Sequence, residues 1–262
     1  MPIARPIVRR RGPGWCDRFA PALADPDALL RSDGARVLKQ EPGGRAVALV
    51  TLDGTVVVVK AYDESRLKHV LQALLEGTAA ARAARGIDRF AAAGLPAPQL
   101  VAVLEPATVL KQRSWLVTRA IDGVAADTDW DALPEERRVQ VATALGTVLR
   151  TMHARGLYPQ DARAANWLLV RNSDTPVLVD LDRVRVYRHL SWRRRMKNLA
   201  QLHRDLLRDG GPPEAAFVAA YEASTEAAAV HDARARLVER SRAMDEMVAR
   251  RGAARQRRAA AR

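Results

Sequence analysis

The alternation of apolar and polar residues divides the chain into a β-rich part followed by a helical part. Residues 36–62 contain three runs of β-forming residues, which are separated by Pro42-Gly43-Gly44 and then by Asp53-Gly54, a strong hairpin signal. This pattern predicts a three-stranded antiparallel meander. Apolar residues then recur at helical spacing over residues 67–75, and an alanine-rich stretch extends the helical pattern to Ala93.

The remaining pattern predicts further strands and then a mainly helical region. Two strand-like runs, LPAPQLVAVLE and RSWLVTRAI, precede a long predicted helix over residues 134–153, and WLLV with PVLVDL suggests a small hairpin. Strands followed by helices indicate an α+β fold with two lobes. The predicted divisions are an irregular basic N-terminal arm over residues 1–34, a β-rich lobe over 35–119, a linker near 120–124, a helical lobe over 120–227 and an Arg-rich helical tail over 228–262.

The composition indicates a folded and basic chain. A chain of 262 residues with 48% hydrophobic composition can bury a sizeable core, and a formal charge of +13 favours polyanionic partners such as nucleic acid, an anionic membrane surface or a phosphorylated substrate. Aromatic residues are sparse in the Arg-rich tail, which argues against stacking on single-stranded nucleic acid. The single cysteine excludes an intramolecular disulfide, and the N-terminus lacks the apolar core of a signal peptide. We therefore expect a cytoplasmic protein, soluble or peripheral on a membrane.

The β-rich part contains residues that suit the binding of nucleotide phosphates. Gly43 and Gly44 lie in the first predicted turn, where the missing side chains would let backbone N–H groups approach phosphate oxygens. Lys60 ends the run VVVVK, and a lysine there is a point charge for the α- and β-phosphates. The alternatives are an ordinary hairpin turn and a strand end that reaches solvent.

The helical part contains residues that suit phosphoryl transfer. Asp161 could accept a hydroxyl proton, and Asn166, five residues later, could offer a neutral oxygen to magnesium. Asp180 follows the apolar run VLV, where a carboxylate could hold the same ion. Asp161 and Asn166 could instead cap turns, since both residue types favour them.

Several segments carry a resemblance to a known family. VVVVK resembles the lysine strand of the protein-kinase-like fold, MHARGLYPQDARAANWLLV its catalytic loop, and VLVDLDRVRV its metal-binding segment. More narrowly, KAYDESRLKHVLQALL, GLPAPQLVAVLE and WRRRMKNLAQLHRDL are similar to the lipopolysaccharide kinases, bacterial enzymes that phosphorylate Kdo or heptose with ATP and Mg²⁺. The resemblance covers residues 35–207. It implies a bilobal protein-kinase-like fold and phosphorylation of a sugar hydroxyl in a lipopolysaccharide core-type glycolipid.

The resemblance also assigns roles to single residues. It makes Lys60 the phosphate-binding lysine, Asp161 the base, and Asn166 and Asp180 the magnesium ligands. Arg163 falls where protein kinases place a lysine that touches the transferred phosphate.

The chain departs from the protein-kinase pattern at several positions. Pro159 and Gln160 replace the His and Arg before the base, which removes the usual anchor for a phosphorylated activation loop. Asp182 replaces the glycine of the metal segment and implies either a further metal contact or a salt bridge with a neighbouring arginine. Kinases pair their lysine with a helical glutamate, for which Glu76 is the candidate here.

The basic segment after the metal-binding motif bears on the substrate. Arg193, Arg194, Arg195 and Lys197 cluster beside Trp192, either as a solvated helix face or as a surface for an anionic glycolipid in a membrane. Two other functions stay open. One is a kinase-like enzyme with a small-molecule or protein acceptor, and the other is a degenerate kinase-like module that docks on anionic membrane or RNA.

Overall fold

The structure, a computed structural model, describes residues 6–41, 45–65, 67–107, 113–171, 173–223 and 230–260. The chain divides into two units. Unit 1 contains Met1–Asp122 together with Asp180–Val184, and unit 2 contains Gly123–Val179 together with Arg185–Arg262.

Unit 1 combines an antiparallel sheet with helices. Its elements are β1 (Pro6–Arg11), α1 (Pro26–Arg31), β2 (Arg36–Glu41), β3 (Arg45–Leu52), β4 (Thr55–Asp63), α2 (Leu67–Glu76), α3 (Ala79–Ala92), β5 (Leu100–Pro106) and β6 (Arg113–Arg119). Among the described residues, the strands form one six-stranded sheet in the order β1-β5-β6-β4-β3-β2, with antiparallel neighbours.

The predicted meander is confirmed in β2, β3 and β4. Leu52 pairs with Thr55 across the hairpin, and Asp53 and Gly54 have φ values of 46° and 72°. A two-residue turn in which both residues have a positive φ matches the right-handed twist of the strands, and glycine adopts a positive φ without a steric penalty.

The N-terminal residues differ from the irregular arm that the sequence predicts. Pro6–Arg11 forms strand β1, which pairs with β5 and alternates half-buried and exposed side chains, and Asp25 caps α1 by accepting a hydrogen bond from the Ala28 amide. The sequence gives only a weak signal for strand β1, because a six-residue edge strand with three arginines has little apolar alternation of its own. Pairing with the fully buried strand β5 supplies the missing stabilisation.

The core of unit 1 lies against one face of this sheet. Its apolar members come from the N-terminal segment and from β3, β4, β5 and β6, and the largest are Trp115, Phe19, Leu23, Leu104 and Leu52. Helix α3 packs on β4, β5 and β6 through small and apolar residues, which include Ala80, Ala83, Ala84, Ile87 and Phe90. Alanines on this helix let its backbone approach the sheet closely.

Unit 2 is mainly helical. Its elements are β7 (Gly123–Ala125), α4 (Ala126–Asp129), α5 (Glu135–Ala154), β8 (Leu157–Pro159), β9 (Trp167–Val170), β10 (Val177–Leu178), β11 (Val184–Val186, which starts at the last residue of unit 1), α6 (Trp192–Leu202), α7 (Gly211–Glu222) and α8 (Val230–Ala260). A π-helical turn, His203–Leu207, continues α6. Strands β9 and β10 form the predicted hairpin, and β7 pairs with the other edge of β9.

Helix α7 packs closely against α5 in unit 2. Gly146 of α5 faces α7, and a Cβ at this position would lie 2.5 Å from the Phe217 carbonyl oxygen. Helix α8 packs on α6 and on the π-helical turn. None of the helices in the described part of the chain is both long and apolar enough to cross a bilayer.

Candidate active site

In unit 1, the candidate phosphate-binding lysine contacts a candidate metal ligand. Lys60 lies in β4, and its Nζ donates a hydrogen bond to Asp180 Oδ1 at 2.6 Å. The two residues are 120 positions apart in the chain, and their side chains are 25% and 32% exposed. The pair is therefore partly shielded from solvent and still open to a ligand.

The charges around this ion pair are unevenly balanced. Burial alone would lower the pKa of Lys60, but Tyr62, Asp180 and Asp182 act in the opposite direction and raise it overall, so the ammonium stays protonated. Burial and the charge of Asp180 raise the pKa of Asp182, while Lys60 lowers it. One ammonium thus faces two carboxylates, and a cation would relieve their repulsion.

The donors of this cluster fit a magnesium ion bound to a nucleotide. Among the described residues, no group of three or more His, Cys, Asp or Glu side chains is arranged around a metal position. Magnesium in phosphotransferases usually takes only one or two protein carboxylates, with substrate phosphates and water as the other ligands. Asp180 and Asp182 meet that requirement.

Within unit 1, helix α3 contacts the segment Asp180–Val184 directly. A Cβ at Gly86 would overlap the Leu181 carbonyl oxygen and would lie 2.9 Å from the Leu181 Cβ, so the helix backbone and the segment are in direct contact. Arg89 donates a hydrogen bond to the Val184 carbonyl at 2.9 Å, and the charge of Arg82 lowers the pKa of Asp182.

Unit 2 orders the candidate base in a loop between β8 and β9. Arg163 grips Asp161 with two hydrogen bonds, from Nε to Oδ1 at 2.8 Å and from an Nη atom to Oδ2 at 2.9 Å. Asn166 donates its side-chain amide to the Asp161 carbonyl at 3.1 Å, which leaves its amide oxygen as the group that could bind a metal. Both oxygens of the carboxylate accept, so Asp161 is held in one orientation.

Polar residues of α6 and the π-helical turn support this loop. The bonds run from Asn198 Nδ2 to the Pro159 carbonyl at 2.8 Å, from the Ala162 amide to Gln201 Oε1 at 3.2 Å and from the Ala164 amide to Asp205 Oδ2 at 3.1 Å. Sequence reasoning missed these three side chains. Their spacing of three and four residues along a helix, on the face that also carries Leu202, was the available signal.

A family model matches most of the chain. It is described as the lipopolysaccharide kinase (Kdo/WaaP) family, and it matches residues 32–249. The chain belongs to this family. Its members are kinases, so the predicted class of enzyme, a phosphotransferase with an alcohol group as acceptor, is confirmed.

Solved structures show that this lipopolysaccharide kinase family member has the predicted protein-kinase-like fold. The structure described as WaaP in complex with acyl carrier protein is 20% identical, with a TM-score of 0.61 over 84% of this chain and 91% of that chain. The kinase domain of PknI from Mycobacterium tuberculosis is 18% identical, with a TM-score of 0.44 over 67% of this chain and 74% of that chain. A search of curated proteins finds no match.

Two candidate positions for nucleotide binding remain predictions in this family member. Gly43 and Gly44 lie outside the described residues. Glu76 is the last residue of α2, and its carboxylate accepts a hydrogen bond from Gln72 Nε2 at 2.9 Å. The carboxylate that the structure shows on Lys60 is that of Asp180.

The predicted basic cluster divides into structural and exposed members. The Arg194 guanidinium stacks 4.2 Å from the Tyr187 ring centroid, Arg195 donates to the Leu190 carbonyl, and Lys197 donates to the Gln160 carbonyl in the loop of the candidate base. All three side chains thus make contacts within unit 2. Arg193 is exposed, as is Trp192 beside it, which is 41% exposed.

Proposed function

We propose that this protein transfers the terminal phosphoryl group of ATP to a sugar hydroxyl of a lipopolysaccharide core-type glycolipid. The family supplies the class of enzyme. The contact of Lys60 with Asp180 carries the assignment of the nucleotide site, because an ammonium at 2.6 Å from a half-buried carboxylate joins the two groups that a magnesium nucleotide needs.

The residues of unit 1 would bind the nucleotide. The protonated Lys60 suits the α- and β-phosphates, and Asp180 with Asp182 would hold magnesium. When bound, magnesium neutralises the charge that develops on the phosphates. The repulsion between Asp180 and Asp182 favours this role, since a divalent cation stabilises both in the ionised form.

Asp161 acts as the base in this proposal. Its carboxylate orients the sugar hydroxyl and accepts the proton as the oxygen attacks the phosphorus atom and ADP leaves. Arg163 keeps the carboxylate in position through its two hydrogen bonds, and its guanidinium is suited to the oxygens of the transferred phosphoryl group. Phosphoryl transfer depends mostly on positioning and charge neutralisation, so these groups are sufficient for it.

The surface of unit 2 supports a substrate at a membrane. Residues 185–193 expose Arg185, Arg188 and Arg193 together with two apolar side chains, Val186 at 52% and Trp192 at 41%. Basic residues with an interfacial tryptophan suit the anionic surface in which a glycolipid substrate lies. We propose peripheral contact with the cytoplasmic face of the inner membrane through this segment.

The assignment is tested by phosphate transfer from radiolabelled ATP to lipopolysaccharide whose core phosphates have been removed enzymatically. Wild type should label the core sugars only with magnesium present. Asp161→Asn should slow transfer roughly a hundred- to ten-thousandfold because it removes the proton acceptor. Asp180→Asn should abolish magnesium-dependent transfer for want of a metal ligand.

Asp174→Asn is the matched control. Asp174 is an exposed residue of unit 2 that pairs with Arg137, so this variant should transfer phosphate like wild type. Equal labelling by wild type and Asp161→Asn would refute the proposed mechanism. Labelling of a small alcohol or a protein instead of the core would support a different acceptor, and absence of any melting shift with magnesium and ATP would indicate a degenerate module.

A further inference from the structure

Tyr62 is a buried side chain that the proposed mechanism does not use. It lies two residues after Lys60 on β4, so both side chains project from the same face of the strand. The residue is only 5% exposed, and the described residues give its hydroxyl oxygen no hydrogen-bond partner. A buried hydroxyl that is left unpaired destabilises the fold, and such groups are rare in native proteins.

The surroundings of Tyr62 are the groups assigned to the nucleotide. Lys60 Nζ lies 5.0 Å from the ring centroid, a distance at which an ammonium interacts with the ring. Burial raises the pKa of Tyr62, the neighbouring Lys60 lowers it, and the charges of Asp182 and Asp180 raise it further. The hydroxyl is therefore protonated and lies within the electrostatic reach of both carboxylates.

Asp182 lacks a hydrogen-bond donor among the described residues. Its carboxylate is half-buried, and no described residue donates a hydrogen bond to it or forms an ion pair with it. One cluster of unit 1 thus contains a buried donor without an acceptor and a carboxylate without a donor. Phenylalanine would fill the same space at position 62 without the unpaired hydroxyl, so packing alone does not account for tyrosine.

We propose that Tyr62 is a positioning residue for the metal-binding segment: its hydroxyl donates a hydrogen bond to the Asp182 carboxylate when the magnesium nucleotide is bound. Lys60 then turns from Asp180 to the phosphates, and the hydroxyl keeps Asp182 oriented to share the ion with Asp180. This inference rests on the proposed function. It gives Tyr62 part of the role that a helical glutamate has in protein kinases, that of a fixed partner behind the lysine.

Tyr62→Phe separates this role from a structural one. The variant loses only the hydroxyl, so without magnesium it should melt at the same temperature as wild type or higher, because an unpaired buried donor has been removed. With ATP present, the magnesium concentration for half-maximal transfer should rise roughly tenfold or more, the usual effect of removing a hydrogen bond to a charged group. The melting shift produced by magnesium with ATP should shrink in parallel.

Tyr221→Phe is the matched control, because Tyr221 is buried in unit 2 and its hydroxyl bonds His153 and not a group assigned to the nucleotide. It should keep the wild-type magnesium dependence. If Tyr62→Phe also keeps it, or melts lower without magnesium and loses activity only in proportion, the positioning role is refuted while the kinase assignment stands. If magnesium with ATP neither shifts the melting of wild type nor supports transfer, the proposed function itself is refuted, and the inference falls with it.

Discussion

At the scale of single residues, His153 links the helical core to the loop of the candidate base. It is 1% exposed, its Nδ1 lies 2.8 Å from the Tyr221 hydroxyl, and its Nε2 lies 3.1 Å from Asn198 Oδ1. A neutral ring satisfies both partners, since Nδ1 accepts the hydroxyl proton and Nε2 donates to the amide oxygen. Asn198 in turn donates to the Pro159 carbonyl, so the histidine orients the amide that holds the loop.

This burial predicts a loss of stability in mild acid. Burial lowers the pKa of His153 to about 4, against about 6.5 in the unfolded chain. Between these values the unfolded chain binds one proton more than the folded chain, so the free energy of unfolding falls as the pH falls, by roughly 3 kcal/mol in total. Denaturant titrations of wild type and His153→Gln from pH 7.5 to 4 should show the difference between them shrinking.

The same substitution at the exposed His189 is the control. His189→Gln should track wild type across the whole range, because this side chain is exposed and lies outside the buried hydrogen bonds of His153. A constant gap between wild type and His153→Gln at every pH would contradict the prediction.

The sequence points to candidate chemical residues but not to all of their partners. Lys60, Asp161 and Asp180 stand out because a charge next to an apolar run, or between a helix and a strand, has few purely structural uses. The partner of Lys60 could not be read in the same way, since local spacing points to Glu76 and the observed carboxylate lies 120 residues away. Tertiary pairing of this kind leaves no periodic signal in one sequence.

At the scale of elements, α3 contacts the candidate metal-binding segment, Asp180–Val184. Gly86 allows the helix backbone to touch Leu181, and Arg89 donates a hydrogen bond to the Val184 carbonyl. Direct backbone contact favours one fixed conformation of the segment.

Gly86→Ala should therefore impair catalysis beyond its effect on folding. The added methyl overlaps the Leu181 carbonyl, which should cost about 1–3 kcal/mol of stability and displace the segment that carries Asp180. Gly146→Ala is matched in chemistry and crowding, because its methyl would lie 2.5 Å from the Phe217 carbonyl of unit 2. Urea denaturation should show similar losses for both variants.

Magnesium titration of phosphate transfer then separates the two glycines. Only Gly86→Ala should need more magnesium, since only its clash falls on the metal-binding segment. An unchanged magnesium requirement in Gly86→Ala would show that α3 supports the fold of unit 1 and not the geometry of its carboxylates.

Elements with a strong local signal were predictable, and elements that depend on a neighbour were not. The β2–β4 meander, the β9–β10 hairpin and α5 follow from turn residues and periodicity, and the structure confirms them. Strand β1 depends on pairing with β5, and Gly86 is one glycine inside an alanine-rich helix. Both are set by contacts that form only in the folded chain.

At the scale of the whole molecule, the formal charge of +13 gives the protein a general attraction to anionic surfaces. A general attraction depends on the net charge alone, whereas specific docking depends on which residues carry the charge. Residues 185–193 concentrate exposed arginines beside Val186 and Trp192. Arg31, at the end of α1, is also exposed, but the polar residues Ser32 and Asp33 follow it. The first segment therefore combines charge with apolar side chains that can enter an interface.

Binding to vesicles should therefore weaken more in Arg193→Glu than in Arg31→Glu, although the two variants have the same formal charge. Each basic residue near an anionic surface contributes about 1 kcal/mol, so reversing one at the docking segment should reduce affinity roughly tenfold or more. Sedimentation with vesicles of neutral and anionic phospholipid at low and high salt measures both effects. Equal losses in the two variants would show that net charge alone drives binding, and wild type that stays unbound at low salt would remove the membrane-docking proposal.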